Sequence, residues 1–262
     1  KTGGTVTQDV TITLVGTNDA PTIVSGSDIA GLVTEKVDGP TENDGDLTDT
    51  GTITFADVDL SDSHTATVGG TVRDSEDHVI DTPLGALTVG EVNQETNSVD
   101  WTFTLAAGVI DGMAEGETLT QVYTVTIDDA NGGTVNQDIT ITITGTNDAP
   151  TIVGGSTNAV GDVTERADGA GDENTGDLTD TGVITFADVD VNDLHSASIT
   201  TTVATDDADN SVPARGTLSL AVDQVNNEVT WTYTVAAGAL DDLAAGEALT
   251  QVYTVTINDG KT

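Results

Sequence analysis

The chain has 262 residues, six basic and 45 acidic, and a formal net charge of −39. Binding phosphate takes Lys and Arg, so this balance excludes nucleic acid and an anionic membrane surface as partners and points instead to a cation. No cysteine and no apolar run of about 18 residues are present, which excludes thiolate chemistry, disulfides and a spanning helix.

Thr, Val and Ile are abundant and favour strands, while Gly, Asn and Asp favour turns. With 19% charged residues and clear apolar alternation, the chain is expected to fold despite its net charge. Residues 11–14 alternate polar and apolar side chains, the period of a half-buried strand. Further strands are predicted at 29–34, 51–55, 65–72 and 85–89. Next, Trp101, Phe103 and Leu105 share one face of a strand, and Asp100, Thr102 and Thr104 the other. Residues 105–117 have room for one helical turn, and strands follow at 119–127 and 139–143. Turn signals separate these elements at short intervals, which predicts an all-β fold of antiparallel sandwiches with about seven strands each.

The pattern then repeats. Thr17-Asn18-Asp19-Ala20-Pro21 recurs as Thr146-Asn147-Asp148-Ala149-Pro150, Glu35 as Glu165, and Trp101 as Trp231. The stretch 53–59 recurs at 184–190, and 123–127 at 253–257. Residues 3–16 match 132–145. The expected organisation is a last strand of a preceding repeat at 1–16, repeat one at 17–145, and repeat two at 146–262 lacking its last strand. No signal peptide is evident, as expected of a mature protein or an internal fragment.

Three elements carry a family resemblance: the G-T-N-D-A-P stretches at 16–21 and 145–150, the A-D-V-D after a strand at 56–59 and 187–190, and the Y-T-V-T-I-(D/N)-D ends at 123–129 and 253–259. The chain resembles the cadherin-like VCBS repeats of large bacterial surface adhesins of the RTX type. That resemblance covers nearly the whole chain. It implies tandem Ig/cadherin-like sandwiches in an extended rod, secretion to the cell surface or matrix, and calcium between repeats.

Calcium takes six to eight oxygen ligands, and the acidic constellation supplies them twice. Copy one offers Asn18, Asp19, Glu35, Asp57, Asp59 and Asp129; copy two offers Asn147, Asp148, Glu165, Asp188, Asp190 and Asp259. Two carboxylates about 4 Å apart repel by roughly 1 to 4 kcal/mol, so such a cluster disperses or binds a cation. By the resemblance, the junction inside the chain uses Glu35, Asn147, Asp148, Asp188, Asp190 and Asp259, with Asp111 and Glu117 completing it. The acidic stretches 42–49 and 172–180 are read as solvated loops. His64 and His195 are read as strand-end packing or hydrogen-bonding residues rather than catalytic bases, because no nucleophile motif accompanies them. Trp101 and Trp231 are read as core.

The functional expectation is a non-enzymatic, calcium-rigidified extracellular spacer or fibre segment of an adhesin or biofilm-matrix protein. Its partners are neighbouring copies, head to tail, with residues 5–15 completing repeat two of a neighbour. The alternatives are a module that binds glycans or surface ligands and a hydrolase with paired carboxylates.

Overall fold

A computed structural model describes residues 3–36, 45–173 and 175–261, with backbone alone at 201 and 202. The fold is all-β. Its described residues form two compact units, one of 3–33, 46–106 and 119–143, the other of 34–36, 45, 107–118 and 144–261.

In copy one the strands are β1 (Thr22–Ile23), β2 (Ala30–Thr34), β3 (Asp46–Ala56), β4 (Thr65–Arg73), β5 (Val79–Ile80), β6 (Ala86–Val89), β7 (Ser98–Ala106), β8 (Thr118–Asp128) and β9 (Thr134–Thr144). They make two sheets, β1-β3-β7-β6 and β2-β9-β8-β4-β5. Alternation decides the packing: Val99, Trp101, Phe103 and Leu105 of β7 are all buried, as are Tyr123, Val125 and Ile127 of β8 and Ile139, Ile141 and Ile143 of β9. Two sheets that each bury one face against the other form a sandwich. Trp101 lies at its centre, and its indole N–H donates to Asp28 O at 2.7 Å. The indole fits because Gly51 has no side chain: a Cβ there would stand 2.5 Å from the ring.

Copy two continues with β10 (Thr151–Ile152), β11 (Asp177–Ala187), β12 (Ser196–Thr205), β13 (Thr217–Asp223), β14 (Glu228–Ala236) and β15 (Thr250–Asn258). Its sheets are β10-β11-β14-β13 and the pair β12-β15. Trp231 repeats the Trp101 contacts, donating to Asn158 O at 2.7 Å.

The helical turn expected in 105–117 is a short 3-10 turn at Ala107–Val109, repeated at Ala237–Ala239. The strand expected at 11–14 is not formed. Residues 3–21 lie outside every strand, with Val10, Ile12 and Leu14 exposed. A strand exists through a partner's hydrogen bonds, and none of the described strands lies alongside this segment. Of the acidic stretches read as solvated loops, residues 42–44 and 174 lie outside the described residues. Asp46, Asp49, Asp177 and Asp180 instead sit in β3 and β11.

Candidate metal centre

Each unit gathers carboxylates at a strand end. In the first, β3 ends at Ala56 and the chain turns through Asp57, Asp59 and Asp62. Asp57 Oδ1 accepts the Asp59 N–H at 2.9 Å, and Asp59 Oδ2 accepts the Asp19 N–H at 2.7 Å. Asp129, fully buried after β8, accepts Asn18 Nδ2 at 2.9 Å and the N–H groups of Asn131 and Gly133 at 2.8 Å. Oxygens of Asp57, Asp62 and Asp129 lie within 4.8 Å of one another. Asn18, Asp19, Asp57, Asp59 and Asp129 are therefore brought together, while Glu35 is not among them. Asp62 joins them and was missed in the sequence reading. Its signal was the spacing D-x-D-x-x-D at 57, 59 and 62, which recurs at 188, 190 and 193.

The second unit holds the larger constellation. Carboxylate oxygens of Glu35, Asp111 and Asp148 lie within 4.8 Å of one another. Glu35 Oε2 accepts the Thr146 N–H at 2.8 Å, and Asp190 Oδ2 accepts the Asp148 N–H at 2.8 Å. Asn147 Nδ2 donates to Asp259 Oδ2 at 3.0 Å, while Asp188, Asp111 and Asp148 line one small pocket. Glu117 stays exposed; its backbone carbonyl accepts the Gly145 N–H and its own N–H donates to Ala114 O. Glu165 is not among them; burial raises its carboxyl, with Asp241, Asp168, Glu173 and Asp242 adding to it.

Burial raises the carboxyl of Glu35, helped by Asp190 and Asp111, and the Thr146 bond opposes it. Burial likewise raises Asp190, with Asp193 and Asp188 adding to it. By contrast, the His64 hydrogen bond holds Asp57 below the ordinary carboxylate range, and the bond from Asn18 does so for Asp129.

Two buried histidines organise these turns. His64 Nε2 lies 3.0 Å from Asp57 Oδ2, and His195 Nε2 lies 2.8 Å from Asp188 Oδ2. Gln94 and Gln224 each accept the backbone N–H of their histidine, and the rings tilt against Phe55 and Phe186. Packing against the phenylalanine rings and hydrogen bonding to a carboxylate thus occur together at both histidines.

The donor set fits a hard divalent cation. Among the described residues, Glu35 Oε1, Asp190 Oδ1, Asp62 Oδ2, Asp193 Oδ2 and Asn147 Oδ1 are buried with no hydrogen-bond partner. Unsatisfied buried carboxylate oxygens are costly unless a cation meets them. All of these donors are oxygen, and Ca²⁺ takes more oxygens with looser geometry than Mg²⁺.

No protein-family model matches the chain, and no curated protein matches it. Among solved structures, it is similar to AggA, the major subunit of aggregative adherence fimbriae type I from Escherichia coli, at 8% identity and TM-score 0.33, over 50% of this chain and 99% of that one. It is also similar to the extracellular cadherin domains 1–5 of protocadherin gamma B2, at 10% identity and TM-score 0.39, over 91% of this chain and 39% of that one. Human CDH23 EC21–23 aligns at 15% identity and TM-score 0.36, over 90% and 68%.

Proposed function

We propose that the chain is a non-catalytic, calcium-stiffened structural segment of an extracellular adhesin or biofilm-matrix protein, of the VCBS, cadherin-like kind that its motifs resemble. Neighbouring copies continue it head to tail, with residues 5–15 as a donated strand. The observation that carries the reading is the meeting of Glu35, Asp111 and Asp148, with buried, unsatisfied oxygens on Glu35 and Asp190 beside them. Calcium there would take ligands from Glu35, Asp111, Asp148, Asp188 and Asp190. A second ion in each copy would use Asn18, Asp57, Asp59, Asp62 and Asp129, or Asn147, Asp188, Asp193 and Asp259. The ion supplies positive charge and a fixed coordination shell. The chain supplies oxygens from stretches far apart in sequence, so binding ties those stretches together. This use suits a tandem spacer, where duplication adds length and each copy needs only a stiff link to the next. Titration calorimetry with calcium tests it. Saturable binding that weakens in Glu35→Gln and Asp190→Asn supports the reading, and absence of binding at millimolar calcium removes it.

A further inference from the structure

Both copies build the same turn after their Tyr-Thr-Val-Thr-Ile strand. After β8, Ala130 has φ 62° and its N–H donates to Asp128 Oδ1 at 2.7 Å. After β15, Gly260 has φ 85° and its N–H donates to Asn258 Oδ1 at 2.8 Å. The next residue closes the turn. The Asn131 N–H donates to Asp129 Oδ1 at 2.8 Å, and the Lys261 N–H to Asp259 Oδ1 at 2.9 Å. On the second oxygen, Asn18 Nδ2 donates to Asp129 as Asn147 Nδ2 donates to Asp259. Positions 131 and 261 are therefore equivalent in backbone and in the carboxylate that holds them.

Their side chains differ. Asn131 is neutral and exposed. Lys261 is one of six basic residues in the chain, and its side chain turns inward, 29% exposed, with Nζ 3.6 Å from Asp193 Oδ1. The Asp193 side chain is 4% exposed, and its Oδ2 is buried with no hydrogen-bond partner. Asp62, its counterpart in copy one, also leaves Oδ2 buried without a partner, and oxygens of Asp57, Asp62 and Asp129 lie within 4.8 Å of one another. A buried carboxylate is stable only when positive charge meets it. At position 261 the chain supplies that charge itself; at position 131 it supplies none.

We infer that Lys261 is an internal cation that sets the calcium affinity of the second ion site of copy two, formed by Asn147, Asp188, Asp193 and Asp259. The inference rests on the calcium reading above. The ion and the ammonium require the same carboxylate, that of Asp193. Both are positive, so an entering ion either displaces Nζ or sits beside it against repulsion. A lysine stem is flexible and its head well hydrated, so Nζ can swing into solvent, and the site is weakened rather than closed. The charge of Lys261 also reaches Asp190, where it opposes the rise caused by burial. Copy one has no such competitor at position 131, so its Asp57, Asp62 and Asp129 site fills at lower calcium. Tandem copies then answer calcium in two stages. The turn of copy two is held by Lys261 at low calcium and by the metal only at higher calcium.

The experiment exchanges the two residues. Lys261→Asn gives copy two the residue of copy one, Asn131→Lys does the reverse, and Lys261→Arg keeps the charge. Wild-type and variant proteins are titrated with calcium chloride by calorimetry and melted in chelator. Lys261→Asn is expected to tighten one binding step by about tenfold or more. It is also expected to lower the melting temperature in chelator, because Asp193 loses its partner. Lys261→Arg is expected to keep the wild-type isotherm, and Asn131→Lys to weaken one step. A lower melting temperature in chelator with an unchanged isotherm makes Lys261 a structural ion pair only and overturns the proposal. So does a tightening that Lys261→Arg shares. An Asn131→Lys chain with wild-type affinity overturns the equivalence of the two positions. No calcium heat from either wild-type or Lys261→Asn protein removes the calcium reading and this inference together. Wild-type heat that Lys261→Asn leaves unchanged removes the inference alone.

Discussion

Trp101 shows how one residue organises a sandwich. Its ring occupies space that Gly51 leaves open, it meets Gly31 from the other sheet, and its N–H has an acceptor. Trp101→Ala should destabilise by about 3 to 5 kcal/mol, the usual cost of deleting a large buried aromatic. Trp231→Ala should fall at the lower end, because the residues around it are less buried; denaturant unfolding of the two variants measures the difference. The histidines make a second residue-scale prediction. His64→Ala removes the donor to a buried Asp57 carboxylate, which should cost about 1 to 3 kcal/mol in metal-free protein. Glutamine at that position should recover part of the loss, as read by the same unfolding experiment.

At the scale of elements, β8 and β15 carry nearly the same sequence and differ in what flanks them. β8 lies between β9 and β4, while among the described residues β15 has β12 alone. The difference is readable in tyrosine titration. Burial pushes the Tyr123 phenol up from its ordinary 10 to about 12. The folded state therefore keeps that proton longer than the unfolded state. Its contribution to stability is complete below pH 10 and is lost as the pH rises toward about 12. Stability of the first unit should decline across that window, and Tyr123→Phe should remove the decline. Urea unfolding at stepped alkaline pH checks both. Tyr253 is also raised by burial, with Tyr233 adding to it. As a half-buried residue it should ionise before Tyr123 in a spectrophotometric titration.

Across the whole molecule, 45 acidic residues face six basic ones, and the carboxylates that gather at strand ends set its response to cations. Calcium at one hundred times its dissociation constant should add about 2.7 kcal/mol per site, seen as a rise in melting temperature that chelator reverses. Sodium chloride at matched ionic strength screens exposed charge but supplies no coordination, so it should reproduce little of the rise. Glu35→Gln together with Asp190→Asn should diminish the calcium-dependent rise, measured by calorimetric melting with and without chelator.

Much of this was legible in the sequence because it is written locally. The period of two in 100–105 and 139–143 marked strands and their buried faces, and the recurrence of whole stretches marked two copies. The spacing D-x-D after a strand marked the loops where Asp57, Asp59, Asp188 and Asp190 gather. The tertiary structure decided what depends on partners distant in the chain. Glu35 and Asp111 come from copy one, yet they meet Asp148 of copy two, while Glu117, close to Asp111 in sequence, stays in solvent. Asp62 and Asp193 became candidate ligands only once the fold turned their carboxylates inward, leaving an oxygen of each buried without a donor. Residues 11–14 have the alternation of β9 and yet form no strand. Alternation specifies which face a strand will bury, but the strand itself is made by hydrogen bonds that only a neighbouring backbone can supply.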